Sequence, residues 1–277
     1  MHFNFDFSAR QVLWTLDFAA QIILLVVLLG RDRARRFPWF TAGVVVVTLR
    51  LMAEQLLAGR TAQLLYQEIL LVLGDVAAVV GLLLLVEVAR RAFVGARRSV
   101  VIANTLGLLV LAGVALAYWG PWPTKKDLAL DSLLGKLQLM QLVALKGELL
   151  TAVLAVGLGL LVVIFGRHFK GGWRSYPQQI IIGLSTVAIT AMTVALTVQS
   201  IVKGAHPHSQ DEYRHILDLL AKIMNANQVI YVAASIWWIV WFWLDEPGTP
   251  EIPATAGTAE KLEATGKPAE KPLDEAL

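Results

Sequence analysis

Residues 22–29, 76–86, 100–118 and 149–165 carry no charged side chain at all. No other feature restricts this chain so strongly. A bilayer core of about 30 Å is crossed by about 20 apolar residues in a helix. Lipid offers no partner to an unpaired backbone group, so such runs must be helical or belong to a closed barrel. The polar/apolar alternation of barrel strands is missing from them. Only 16% of the 277 residues are charged and 57% are hydrophobic, against about a quarter charged in a soluble domain. The expected fold class is all-α, a seven-transmembrane-helix bundle. Spans are read at about 11–30, 38–58, 66–88, 99–119, 137–165, 178–202 and 223–244.

Charge placement orients the bundle. Loops 30–37, 89–98 and 166–177 hold 11 basic residues in 30 positions and one acid, Asp32. Segments 1–10, 59–65, 120–136 and 203–222 hold 8 basic residues in 54 positions and six acids. The positive-inside rule puts the first set in the cytoplasm. Seven spans then leave the N-terminus outside and the C-terminus cytoplasmic. Residues 1–10 lack the basic start and cleavage site of a secretory signal, so the first apolar run is expected to persist as a span. The Ala/Leu/Arg-rich style suggests a bacterial cytoplasmic membrane. Trp14, Trp119 and Trp122 fall at the outer border, and Trp39, Trp173, Trp241 and Trp243 at the inner one, where amphipathic rings anchor.

Two outer segments are expected to be helical. Ser209 and Glu212 form a capping-box pattern. Tyr213, Ile216, Leu217 and Leu220 then repeat on one face and lead into the last span. Leu128, Leu130, Leu133 and Leu134 predict a weaker helix before span five. The tail, 245–277, holds half of the ten prolines. It carries too little apolar surface to offset ordering entropy and is expected to be disordered. A weak internal repeat is also visible. Gly30-Arg31 and Phe37-Pro38 precede span two, and Gly166-Arg167 and Tyr176-Pro177 precede span six. This predicts a 3+1+3 parallel arrangement with span four as linker. Seven-span opsins and SWEET-type sugar transporters are similar in outline, a likeness of fold that implies no function.

Ionisable groups inside spans are costly and mark function more often than other residues do. This chain places Asp17, Arg50, Glu54, Asp75, Lys146 and Glu148 there, on four different spans. Counted at about 1.5 Å per residue, all six lie in the outer half or near the midplane. Thr193 and Thr197 belong to a threonine face running from Thr186 to Ser200 on span six. Gln228, Tyr231 and Ser235 share a face of span seven, and Gln21 stands one turn from Asp17. Together they predict an outward-facing polar pocket. Its ligand-binding set is Asp17, Arg50, Glu54, Asp75, Lys146, Glu148, Thr193, Thr197, Gln228 and Tyr231. The six charges sum to minus two, which favours a small polar or cationic ligand from outside. The same residues also admit a purely structural network, in which Arg50 pairs with Glu54 one turn away and Lys146 pairs with Asp75 or Asp17.

Several chemistries are excluded or disfavoured. The chain has no cysteine, which removes thiolate catalysis and cysteine metal sites. None of the five histidines falls in a span, so an intramembrane bis-histidine haem is excluded. His206, His208 and His215 share an outer loop without a recognised metal spacing. No Gly-x-Ser-x-Gly elbow or His-Glu-x-x-His helix is present, and the last span has no lysine for a retinal adduct. No catalytic residue, metal or cofactor is therefore expected. The expected partners are the lipid bilayer and a cytoplasmic protein at the basic inner loops, not nucleic acid. A receptor-like or sensory protein is the first functional expectation. A small-solute or proton-coupled transporter and a non-catalytic scaffold subunit are the alternatives.

Overall fold

The computed structural model describes residues 9–93, 98–118, 133–165, 175–205 and 209–244. These residues form α1 (Ala9–Gly30), α2 (Arg33–Arg36), α3 (Pro38–Leu57), α4 (Gln63–Ala92), α5 (Arg98–Tyr118), α6 (Leu133–Phe165), α7 (Tyr176–Gly204) and α8 (Gln210–Trp243). The protein is an all-α bundle. Six helices, α1, α3, α4, α6, α7 and α8, are long and apolar enough to cross a membrane, and α5 contributes a shorter apolar helix, Ala103–Tyr118. The chain divides into Met1–Asp245 and Glu246–Leu277. The second unit lies outside the described residues, as do His206, His208, Trp119, Trp122, Trp173 and the leucines at 128 and 130.

Local chemistry sets the helix starts. Pro38 stands at the beginning of α3 and Pro177 at that of α7, where a missing N–H costs nothing. The Ser209 hydroxyl accepts the amide of Glu212 at 3.2 Å and caps α8. That helix then runs unbroken for 34 residues, so the amphipathic segment and the last apolar run are one element. Asp32, at φ 53°, supplies the left-handed residue between α1 and α2, a conformation that aspartate tolerates better than most side chains.

The six long helices pack in a closed circuit, α1–α3–α4–α6–α7–α8 and back to α1, with α4 also touching α7. Helix α5 rests on α6, where Ala112 packs with Leu149 and Val153. The main core gathers at the arginine-rich end of the circuit. Leu24, Leu28, Phe37, Phe40, Val88, Val162, Tyr176, Ile180, Ile181 and Phe242 are buried there. Phe40 meets Trp238 and Phe242 at ring separations of 5.3 Å, and Phe37 meets Phe242 at 5.8 Å and Tyr176 at 6.3 Å. The Tyr176 hydroxyl donates to the Leu244 carbonyl at 2.7 Å. Arg91 lies 4.6 Å over Phe37 and Arg33 4.8 Å over Tyr176. Each such stack is worth about 0.5–2 kcal/mol, more as water is excluded.

A carboxylate ties two helices together at this end. The α3 N-cap position is Phe37, which has no side-chain oxygen to offer. Glu87 of α4 takes that role. Its Oε2 accepts the amides of Trp39 at 3.0 Å and Phe40 at 3.3 Å, and its Oε1 accepts Arg91 Nη2 at 3.0 Å. A buried anion thus meets two orphan amides and the positive end of a helix dipole. Replacing Glu87 by Ala leaves both amides and Arg91 without it. We expect a loss of about 2–3 kcal/mol, read as an earlier unfolding midpoint in detergent; an unshifted midpoint contradicts the capping role.

Helices α4 and α6 approach through small residues, as membrane helices do when close packing holds them together. Gly74 faces Ala144, Gly147 faces Ala78 and Gly81 faces Thr151. A Cβ on Gly147 would stand 2.6 Å from the Ala78 Cβ, whereas one on Gly113 would meet nothing within 4 Å. Gly147→Ala is therefore expected to cost about 1–3 kcal/mol through overpacking, while Gly113→Ala leaves the melting temperature unchanged or higher. Equal melting temperatures for the two variants contradict the close approach.

Candidate functional site

The ten residues expected to line one pocket occupy separate places. Asp17, Gln228 and Tyr231 belong to a polar seam between α1 and α8. Gln21 Nε2 donates to Ser235 Oγ at 2.9 Å across the two helices and lies 3.4 Å from Asp17 Oδ1 on its own helix. Gln228 stands near the Asp17 carboxylate. Ser235, Gln21 and Asp17 are all buried. The half-buried Tyr231 lies within reach of the charges of Asp17 and Arg50, and Glu54 adds a like charge near Asp17.

Arg50 and Glu54 sit on α3. Arg50 Nε donates to Glu54 Oε1 at 3.2 Å, and both side chains are partly exposed. The next helices open a cavity beside Arg50. It measures about 270 Å³ and is lined by Arg50 of α3, Leu70, Leu71, Gly74, Ala77 and Ala78 of α4, and Ala144, Glu148 and Thr151 of α6. The small residues that bring α4 and α6 together are thus part of its wall. Arg50 and Glu148 are its two charged groups, one from each flank of α4. The Thr151 hydroxyl donates to the carbonyls of Gly147 at 3.0 Å and Glu148 at 2.8 Å, which leaves its oxygen able to accept.

The other four residues lie apart from this cavity. Asp75 is half-buried, and its Oδ1 is enclosed without a hydrogen-bond partner among the described residues. Lys146 reaches toward α5, where its Nζ donates to the Leu116 carbonyl at 3.0 Å. Thr193 and Thr197 are exposed, and each hydroxyl donates at 2.8 Å to the carbonyl four residues earlier. That bond satisfies a threonine facing any apolar medium.

Sequence reasoning passed over Thr151, Gly74 and the alanines as lining residues. The spacing Gly74, Ala78, Gly81 against Ala144, Gly147, Thr151 is the signal that carried them, a helical stripe of small residues on each partner. Among the described residues, no group of three or more His, Asp or Glu side chains is placed to hold a metal ion.

The α1–α8 seam predicts a measurable coupling. A double-mutant cycle on Gln21→Leu and Ser235→Ala should give an interaction energy of about 0.6 kcal/mol, the scale of interhelical hydrogen bonds in bilayers. Strict additivity of the two unfolding shifts contradicts the bond. Comparison of the chain with protein-family models, with curated proteins and with solved structures found no match in any of the three.

Proposed function

We propose that this protein is a receptor-like or sensory membrane protein that takes a small polar or cationic ligand from outside into the α3–α4–α6 cavity. The observation that carries this reading is the cavity itself, with Arg50 and Glu148 on its walls. A charged lining in a membrane bundle is expensive unless water or a ligand fills it. Charge placement supports the orientation: Arg31, Arg33, Arg35, Arg36, Arg90 and Arg91 all stand at the end where Phe37, Tyr176 and Phe242 pack. With that end in the cytoplasm of a bacterial cell and α5 counted as a seventh span, the N-terminus is outside. On this reading the cavity is reached from the extracytoplasmic side. Signalling would pass to a protein that binds the arginine-rich end.

The helix order supports a two-unit architecture as well. Exchanging α1 with α6, α3 with α7 and α4 with α8 maps the circuit of neighbours onto itself. Phe37 and Tyr176, each followed by the proline that opens its helix, touch one another, as residues on a pseudo-twofold axis do. Helix α5 is then the linker.

The packing of the arginine-rich end favours a receptor over a transporter. A transporter needs a polar path through that end, where among the described residues the apolar Leu24, Leu28, Phe40, Val88, Val162 and Ile180 are buried alongside the polar Gln178 and Gln179. The absence of cysteine from the chain makes the test direct. Ala77→Cys, on the cavity wall, should react with a membrane-impermeant thiol reagent added outside, and Ala155→Cys, in the core, with reagent from neither side. Reaction of Ala77→Cys from the cytoplasmic side as well supports the transporter. No reaction from either side leaves a scaffold with a structural polar network.

A further inference from the structure

We infer that the cavity ligand is an aliphatic zwitterion of the α-amino-acid kind, its carboxylate held by Arg50 and its ammonium by Glu148. The inference rests on the binding-site reading above and narrows it. The expectation from sequence, a small polar or cationic ligand, came from summing six charges. Only Arg50 and Glu148 line the cavity, with Glu54 beside Arg50. Asp17 is engaged by Gln21, Lys146 points to α5, and Asp75 is outside the lining. The relevant electrostatics are those of one cation and one anion on the walls of a partly open cavity, both side chains partly exposed.

Both groups retain unused capacity. Glu54 engages Arg50 through Nε. The two terminal guanidinium nitrogens have no hydrogen-bond partner among the described residues, and that edge is the one that takes a carboxylate in bidentate fashion. The Glu148 carboxylate likewise has no hydrogen bond or ion pair among the described residues. A ligand with only a carboxylate meets Glu148 and Glu54 as like charges. A ligand with only an ammonium leaves Arg50 unanswered. A dipolar ligand satisfies both walls at once. Thr151 Oγ1 is placed to accept a further N–H. Leu70, Leu71, Ala77, Ala78 and Ala144 form the rest of the wall, a surface suited to an aliphatic substituent and not to a second polar group.

The test uses the full-length protein purified in detergent and three probes: L-leucine, L-leucinamide, which keeps only the cationic end, and N-acetyl-L-leucine, which keeps only the anionic end. Leucine is expected to bind at least about tenfold more tightly than either derivative, the scale of one lost charge-assisted hydrogen bond. Arg50→Gln should erase the preference for leucine over leucinamide. Glu148→Gln should erase the preference for leucine over N-acetyl-leucine, and Glu148→Asp should restore part of it. Leucinamide binding as tightly as leucine to the unaltered protein overturns the zwitterion assignment and leaves a cation site. Failure of all three probes, with Ala77→Cys still reactive from outside, overturns the assignment and leaves the pocket. Failure of all three together with an unreactive Ala77→Cys overturns both.

Discussion

Inside a bilayer a polar group has no solvent to fall back on, and that condition organises most of what this bundle does with its few polar side chains. The first amides of α3 are satisfied from a different helix by Glu87. The carboxylate of Asp17 draws on Gln21, which also bridges to Ser235. The threonines of α7 turn their hydroxyls back onto their own helix. Each arrangement answers the same requirement, that a donor or acceptor removed from water find its partner within the protein.

Helix association in lipid gains little from hiding apolar surface, because the tails are as apolar as leucine. Contact area and closeness do the work instead. Between α4 and α6 they come from glycine and alanine, with Gly147 so near Ala78 that no Cβ fits. At the arginine-rich end they come from rings, Phe37, Phe40, Tyr176, Trp238 and Phe242, interleaved from α3 with its N-cap, α7 and α8 and covered by guanidinium groups. The two modes divide the molecule. Large side chains are buried at one end. Small ones line the α3–α4–α6 cavity, and what they leave empty is bordered by Arg50 and Glu148. The vacancy and the close packing thus have one cause.

That division gives the functional reading its direction. The aromatic end and the cavity between α3, α4 and α6 are the two features on which the proposal of an outward-facing pocket stands. Under that proposal, a change in how α3, α4 and α6 sit around a bound ligand would have to reach the other end. Helix α4 spans both places, with Gly74 and Ala78 at the cavity and Glu87 and Arg91 at the capped start of α3. A shift of α4 along its axis would strain the two amide bonds to Glu87 directly.

By itself the sequence determined the all-α class and the stretches that become long helices. Charge-free runs of that length have no other stable form in lipid. It also marked local starts such as Pro38, Pro177 and the Ser209 cap, because capping depends on residues within one turn. It named the polar residues that matter but could not group them. Arg50, Asp75, Lys146 and Glu148 looked like one cluster when only depth was known. The structure sends Lys146 to α5, leaves Asp75 outside the cavity lining and keeps Arg50 and Glu148 together. What only the tertiary structure decided is the rotation of each helix about its axis. A span that is apolar on every side carries no stripe to reveal which face meets a neighbour. That rotation is settled by where rings, glycines and the Glu87 carboxylate find partners on other helices.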